Sequence, residues 1–396
     1  MPFIFSGGLP EQKAASYNKP IEKLPPPPVA VLPVAGRPAV RAGDYVTAGQ
    51  RIGEARHNIP VHTPVSGRVA AVEQRRRCTG EASLCVVVEN DRKNALCPAV
   101  RAPLNPESLP PEETVTLLRE AGLTGLDPLG VRGKAQAVLI DGCESEPYLT
   151  CRRRLLLERP GAVLGGARIL ARLFGVDRVH IACGDRDAAG LLQQKIRQDK
   201  APAVADVPYT RRAGYSHDSC AVFGAADAAA MYDAVCLGKP LTHRVVTVSG
   251  SGVVEPKNLL CPVGTPIRFL LDACGGVQPK TFKILTGGPM TGHAQTDLDV
   301  PIEKNTPAVL AFCKDEERTA AHPACIRCGR CRVVCPEKLE PFLLLQYAEQ
   351  PDILKDMGIL RCTECGMCSY VCPGRLNLTQ SFQTGKQRVK KGGGKT

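Results

Sequence analysis

Several features that would assign a function at once are absent from this sequence. The 396 residues contain no Trp, and aromatics make up only 4%, which argues against the stacked aromatic platforms that bind single-stranded nucleic acid. No stretch approaches the roughly 18 consecutive apolar residues that a membrane-spanning helix needs. There is no G-x4-G-K-[ST] phosphate loop, and no G-x-G-x-x-G follows a predicted strand. We therefore expect no nucleic-acid partner and no membrane span, and no motif supports nucleotide binding.

Length, charge and the N-terminus narrow the class of protein further. A chain of 396 residues with 43% hydrophobic and 23% charged residues is expected to fold as two to four domains. Residues 1–9 lack the basic and apolar segments of a secretion signal, so a reducing, cytoplasmic compartment is expected. The net charge of +12 would suit nucleic acid, an anionic membrane surface or an acidic redox partner, and charge alone does not choose among them.

Nineteen cysteines stand out against this background, and eight of them form two copies of one pattern. Residues 325–336 and 362–373 both read C-x2-C-x2-C-x3-C-P. In such paired motifs, three cysteines of one copy and the last cysteine of the other bind the same four-iron cluster. The predicted ligands are Cys325, Cys328, Cys331 and Cys372 for a first [4Fe-4S] cluster, and Cys362, Cys365, Cys368 and Cys335 for a second.

Two other interpretations of these cysteines are less favoured. Structural zinc prefers two C-x2-C pairs separated by a longer loop, whereas each motif here places three cysteines within seven residues. A disulfide framework does not suit a reducing compartment. The other eleven cysteines form no C-x2-C pair and are expected to be small buried side chains. The spacing therefore predicts one-electron transfer through two clusters.

Hydrophobic periodicity divides the remaining sequence into regions of different type. Predicted strands at 29–34, 68–72 and 84–88 are separated by glycine turns, which is typical of a small barrel or sandwich. Predicted strands and helices then alternate, which indicates an α/β layer with at least partly parallel strands. The predicted strands there are 135–140 and 179–183, and the predicted helices are 112–120, 160–174 and 188–198. A further predicted strand, 245–248, opens a smaller α+β unit.

These patterns give six predicted segments. They are an N-terminal extended segment (1–28), a β-rich domain (29–105), an α/β domain (106–240), a smaller α+β domain (241–315), the dicluster module (316–385) and a basic tail predicted to be disordered (386–396). Residues 40–72 resemble the hammerhead barrel of biotinyl and lipoyl carriers, but residues 40–74 lack the lysine that such a carrier modifies.

Short motifs in a fixed order resemble the C subunits of Rnf-type ion-translocating electron transport complexes over nearly the whole chain. The motifs are residues 5–8, 40–50, 61–67, 144–148, 244–250, 256–259, 264–266 and 287–290, followed by the two cysteine motifs. Members of this family resemble the flavin-binding subunit of respiratory complex I fused to a ferredoxin-like domain. The resemblance implies a hammerhead-like barrel, a flavoprotein-like α/β domain, a β-grasp (SLBB-like) domain and a helical module with two [4Fe-4S] clusters.

The resemblance also implies cofactors and site residues, with two departures. The flavin and NADH region would include Gly125, Gly130, Glu144 and Glu146. The family's glycine-rich flavin loop, similar to G-G-A-G-F-P-T, is replaced here by G-L-D-P-L-G from Gly125 to Gly130. The family's Y-P-Q-G-type segment is missing from residues 209–223. These departures argue against bound FMN and NADH.

The resemblance implies an oxidoreductase subunit that relays electrons within a translocase-type complex, peripheral to the inner face of the cell membrane. Its partners would be other subunits of the complex or an electron-carrier protein. Three alternatives stay open at this point. They are an NADH:flavin oxidoreductase subunit with bound FMN, a soluble relay that feeds a dedicated reductase, and a non-enzymatic scaffold.

Overall fold

The computed structural model describes residues 14–98, 104–131, 135, 137–177, 179–198, 204–206, 220–314 and 323–392. The motif at residues 5–8 and most of the segment 209–223 lie outside these residues.

The strands are β1 (Ile21–Lys23), β2 (Val29–Pro33), β3 (Tyr45–Val46), β4 (Arg51–Ala55), β5 (Ile59–His62), β6 (Gly67–Arg76), β7 (Ala82–Asn90), β8 (Ala137–Asp141), β9 (Val179–Ala182), β10 (Val204–Asp206), β11 (Cys220–Gly224), β12 (His243–Ser249), β13 (Lys257–Pro262), β14 (Thr281–Thr286), β15 (His293–Gln295) and β16 (Ala308–Cys313). The helices are α1 (Pro111–Glu120), α2 (Cys151–Glu158), α3 (Pro160–Phe174), α4 (Arg186–Gln198), α5 (Ala225–Cys236), α6 (Ile267–Ala273), α7 (Arg330–Val333), α8 (Pro341–Gln346), α9 (Pro351–Asp356), α10 (Met367–Tyr370) and α11 (Leu378–Gly392).

The first domain is the predicted β-rich unit. Antiparallel strands in the order β2-β7-β6-β3 pack with the hairpin β4-β5 around a core of valine, isoleucine and leucine side chains. A β-carbon on Gly67, at the start of β6, would lie 1.8 Å from the Glu89 carbonyl oxygen, so only glycine fits this crossing. The three predicted strands are confirmed, and β6 and β7 extend beyond their predicted ends.

The second domain contains a parallel sheet in the order β10-β9-β8-β11 with helices packed against it, which confirms the predicted α/β layer. Helix α3 has Pro160 in its first turn and ends at Gly175, whose φ of 63° is the left-handed conformation of a helix cap. Its glycines let α5 approach closely, since a β-carbon on Gly166 would lie 2.0 Å from the Ala228 carbonyl oxygen.

The third domain is a six-stranded sheet in the order β1-β13-β12-β16-β14-β15, with α6 packed into its core. This is the architecture expected of the smaller α+β unit. Its outer strand β1 comes from the N-terminal segment and pairs in parallel with β13, which begins more than 230 residues later. The third domain therefore includes a part of the chain that the sequence patterns predicted only as an extended segment.

The fourth domain is a module of four short helices, α7 to α10, and the longer α11 around an apolar cluster. The prediction that residues 386–396 are disordered is wrong for residues 386–392, which continue α11. Phe382 and Val389 lie on one face of this helix and are buried in the cluster, so packing outweighs the basic, glycine-rich composition of the segment. Residues 393–396 lie outside the described residues.

One buried lysine joins three of the domains. Lys304, in the third domain, donates hydrogen bonds to the carbonyl oxygens of Pro60 in the first domain (2.7 Å) and Gly122 in the second (2.6 Å). Burial lowers the pKa of Lys304 from 10.5 to about 7, assisted by the nearby Arg244 charge. At pH values between about 7 and 10.5, Lys304 is protonated in the unfolded chain but neutral in the folded chain. The contribution of Lys304 to stability therefore increases as pH rises through this range.

We predict that Lys304→Met destabilises the protein by about 2 to 4 kcal/mol, because two buried carbonyl oxygens lose their donor. The loss should be larger at pH 9 than at pH 7. Denaturant unfolding at both pH values measures it, and Lys283→Met, at an exposed lysine of β14, is the matched control and should change stability by less than about 0.5 kcal/mol. Equal effects of the two substitutions, or a Lys304→Met loss that falls at pH 9, would contradict this assignment.

Candidate metal centre

The two cysteine motifs have the same backbone as well as the same spacing. Each has a left-handed residue before its second cysteine, a left-handed glycine before its third, and a left-handed residue three positions after its last. The matched pairs are Arg327 (φ 55°) and Glu364 (57°), Gly329 (72°) and Gly366 (74°), and Lys338 (52°) and Arg375 (53°). Each glycine precedes a one-turn helix, α7 or α10. The duplicated sequence therefore folds into two equivalent ligand loops.

The four predicted ligands of the second cluster line one cavity. Cys362, Cys365 and Cys368 come from the second motif, and Cys335 comes from the end of the first. Apolar side chains, including Leu344 of α8 and Phe382 of α11, complete the wall together with Leu339, Pro341 and Met367. Four sulfur atoms around a shared apolar cavity are what a four-iron cluster requires, so the residues fit this group.

The surroundings of three of these thiols work against ionisation unless a cation is bound. Burial raises the pKa of Cys362 and Cys335, and it raises that of Cys368 to about 12. Cysteine binds metal as the thiolate, so metal binding must offset this cost. Backbone donors assist, since the N–H of Leu339 lies 3.3 Å from the Cys335 sulfur and that of Glu364 lies 3.4 Å from the Cys362 sulfur.

The predicted ligands of the first cluster lie nearer the surface. Cys325 and Cys328 are exposed, and Cys331 and Cys372 are half-buried. Among the described residues, no three His, Cys, Asp or Glu side chains are arranged to hold a single metal ion. The structure thus gathers one predicted set around a cavity and leaves the other set at the edge of the module. The assignment of the eight ligands to two clusters stays a prediction.

The remaining cysteines largely follow the expectation from sequence. Eight of the eleven are buried, and burial raises the pKa of most of them, to about 12 for Cys78, Cys151 and Cys274. Thiols of this kind are inert packing groups at neutral pH. Cys97, Cys143 and Cys236 are half-buried.

Glu146, a predicted cofactor residue, joins the second domain to a turn of the third. Its carboxylate accepts hydrogen bonds from the N–H groups of Met290 (2.6 Å) and Thr291 (3.2 Å) and from the Thr291 hydroxyl. The turn then contacts the second ligand loop, since a β-carbon on Gly366 would lie 2.5 Å from the Met290 carbonyl oxygen. Sequence spacing alone did not reveal this connection between Glu146 and a ligand loop.

The other residues of the predicted flavin region all lie in the second domain. Glu144 is half-buried, accepts a hydrogen bond from the Arg153 backbone N–H (2.8 Å), and has its pKa raised by desolvation to about 7. A β-carbon on Gly125 would lie 2.9 Å from a carboxylate oxygen of Asp227. Gly130 lies in the 3-10 helix Asp127–Val131, whose Leu129 side chain is buried in the domain core. Gly125 and Gly130 are both exposed, so the loop differs from the family's flavin loop in its sequence, which places four residues with side chains between the two glycines.

Four family models match consecutive parts of the chain. They describe an RnfC barrel sandwich hybrid domain (residues 3–93), a Nuo51 FMN-binding domain (128–228), an SLBB domain (245–294) and a 4Fe-4S dicluster domain (324–376). The expected order of barrel, flavoprotein-like, β-grasp and dicluster domains is confirmed. The dicluster domain also confirms that the chain holds two [4Fe-4S] clusters.

Three bacterial proteins are similar to the chain over most of their length. The C subunit of the proton-translocating ferredoxin:NAD+ oxidoreductase complex of Clostridium ljungdahlii is 30% identical over 380 residues, covering 86% of this chain and 83% of that protein. Its Na+-translocating counterpart from Acetobacterium woodii is 28% identical, covering 87% of each chain. The C subunit of the ion-translocating oxidoreductase complex of Rhodobacter capsulatus is 33% identical, covering 98% of this chain and 83% of that protein.

We predict that the two equivalent glycines differ in their tolerance of alanine. Gly329→Ala adds a β-carbon with nothing within 4 Å and should cost about 1 to 2 kcal/mol, the penalty for a left-handed residue. Gly366→Ala pays the same penalty and also collides with the Met290 backbone. Iron content after anaerobic purification should therefore fall to about half in Gly366→Ala and remain nearly complete in Gly329→Ala. Equal retention of iron in the two variants would show that the Met290 contact does not support the second ligand loop.

Proposed function

The chain belongs to the family of C subunits of ion-translocating ferredoxin:NAD+ oxidoreductase complexes, and from this premise we propose that its eight motif cysteines bind two [4Fe-4S] clusters in the crossed arrangement and relay electrons between partner proteins. The carrying observation is the cavity that Cys335 shares with Cys362, Cys365 and Cys368, because it joins the last cysteine of one motif to the first three of the other. Each cluster, when bound, accepts and releases one electron.

The protein's own residues would bind these clusters, exclude water from them and stabilise the negative charge of their sulfur ligands. The thiolates would bind the iron atoms. The Leu339 and Glu364 N–H groups donate hydrogen bonds to the Cys335 and Cys362 sulfur atoms, which stabilises negative charge on these ligands. Leu344 and Phe382 exclude water from the second site. No side chain at these sites has to transfer a proton, since the iron–sulfur cluster that the cysteines would hold is itself the redox centre.

The exposure of the first ligand loop supports a role as the contact point for a redox partner. Ile326 and Val333, which lie between its cysteines, are 65% and 71% exposed, among the most exposed large apolar side chains of the described residues. Arg327 and Arg330 in the same loop are also exposed. An apolar and basic surface beside an accessible centre fits an acidic electron-carrier protein or an acidic face of a neighbouring subunit.

The proposed location is the inner face of the cell membrane, peripheral to it. Within the part of the chain that the structure describes, we find no helix with the length and apolar character of a membrane span. Relatives are named as subunits of ion-translocating complexes, so the partners of this chain are other subunits of such a complex. The cytoplasmic side is inferred from the reducing compartment that the free thiols need.

The match to the FMN-binding domain favours a second candidate function, an NADH:flavin oxidoreductase subunit. The buried Leu129 and the occupied carboxylates of Glu144 and Glu146 argue against it. We therefore propose no step through flavin. Flavin that co-purifies with the chain and is bleached by NADH would promote this second candidate.

We predict that anaerobically purified protein contains about eight iron and eight sulfide atoms per chain. Cys365→Ser should remove the second cluster and about half of the iron, while Cys325→Ser should remove the first. Cys97→Ser, a half-buried cysteine outside both motifs, is the control and should keep the full iron content. Stoichiometric zinc, with no iron bound after anaerobic reconstitution, would contradict the proposed function.

We further predict that Arg327→Gln combined with Arg330→Gln slows electron exchange with an acidic carrier several-fold at low salt, because steering by surface charge is lost. The effect should fade at high salt, since charges are screened over roughly 8 Å already at 0.15 M. Arg37→Gln combined with Arg41→Gln removes the same charge from exposed positions of the first domain and serves as the control. An equal slowing in the control, or slowing that is independent of salt, would exclude docking at the first ligand loop.

A further inference from the structure

Helix α11 carries a lysine into the environment of the second ligand loop. Composition alone assigned Lys386 to a solvated basic tail. Its ammonium group instead lies 2.9 Å from the Cys362 carbonyl oxygen and 2.5 Å from a carboxylate oxygen of Glu364, and only 16% of the side chain is exposed. The helix is held in this position by Phe382 and Val389 in the apolar cluster. The lysine is therefore a fixed part of the site.

We propose that Lys386 sets the reduction potential of the second cluster by holding a positive charge beside Cys362. This inference rests on the proposed assignment of Cys362 as a cluster ligand and goes beyond it, since it concerns the energy of the electron on that cluster. Lys386 is a positioning residue for charge and does not itself ligate iron.

The sign of the effect follows from the charge of the cluster. Reduction makes the cluster more negative by one unit, so a nearby positive charge stabilises the reduced form and raises the potential. Lys386 is close enough to act on this loop, because its ammonium group donates hydrogen bonds to the Cys362 carbonyl oxygen and to the Glu364 carboxylate at the distances given above. Its limited exposure keeps solvent and salt from screening the charge fully.

The Glu364 carboxylate partly neutralises the charge of Lys386. The equivalent position in the first ligand loop is Arg327, whose charge is opposite to that of Glu364. The backbone of Glu364 matches that of Arg327, with φ values of 57° and 55°. The first cluster therefore lies beside an exposed arginine, whereas the second lies beside a half-buried ion pair. Two clusters with the same ligands thus have different electrostatic surroundings, which would separate their potentials.

The test is a potentiometric titration of the full chain with both clusters, followed by electron paramagnetic resonance. The spectrum of Cys325→Ser identifies the signal of the second cluster. In Lys386→Gln the reduction equilibrium of that cluster should fall by roughly tenfold, a shift of about 59 mV to more negative potential for a one-electron couple. Lys386→Arg keeps the charge and should stay near the wild-type potential.

Arg388→Gln is the matched control, because it removes the same charge from the same helix. The Arg388 guanidinium contacts the Ala348 carbonyl oxygen and Glu349, in the connection between α8 and α9. Its substitution should leave the second cluster near the wild-type potential. If Lys386→Gln shifts the potential no more than Arg388→Gln does, the proposal is overturned.

A second variant decides the matter if Lys386→Gln fails to retain its second cluster. Glu364→Gln leaves the lysine charge uncompensated and should move the potential in the positive direction; an unchanged potential in that variant overturns the proposal. Wild-type protein that binds no iron would instead refute the ligand assignment, so the two failures are distinguishable.

Discussion

Partial burial of four thiols around one apolar cavity is the constraint on which the C-terminal module depends. Desolvation raises the pKa of the Cys368 thiol to about 12, so the site disfavours its own ionised form until metal compensates. Metal binding and folding of this module are therefore coupled. The apolar cluster of α8, α9 and α11 supplies the wall of the cavity, which links the stability of the helices to the presence of the ligands.

The second and third domains are connected to this module through contacts at the second ligand loop. The turn at Met290 lies between Glu146 of the second domain and Gly366 of the second ligand loop, so three domains meet at the more buried centre. The first ligand loop has exposed cysteines and exposed apolar side chains. The module thus has an inner site packed against the protein body and an outer site nearer the surface. This asymmetry suits a relay, in which electrons exchange at the outer site and are held at the inner one.

Sequence patterns predicted elements where local signals were strong. The prediction for α3 had the right bounds because Pro160 and Gly175 mark its ends. Helix α5 was missed because its sequence is dominated by alanine and shows little amphipathic periodicity. The tail was misassigned because lysine and glycine outnumber its one apolar residue, Val389, which anchors α11 together with Phe382 of the preceding segment.

In the candidate site, too, the sequence predicts the features that depend on local spacing and not those that depend on contacts between distant residues. Cysteine spacing was enough to propose the ligands, since the motif encodes a local turn. The contacts of Glu146 with Met290 join residues 144 positions apart, and no pattern in either segment indicates that they meet. The same holds for Lys386 and the Cys362 carbonyl group, which come together through the packing of α11.

The most direct test of the relay is the order in which the two clusters receive electrons. Protein mixed with a reduced acidic carrier, frozen at millisecond intervals and measured by electron paramagnetic resonance, should show the first-cluster signal before the second, with no flavin signal at any time. Reduction of the second cluster first, or bleaching of a bound flavin before either cluster signal, would contradict the account.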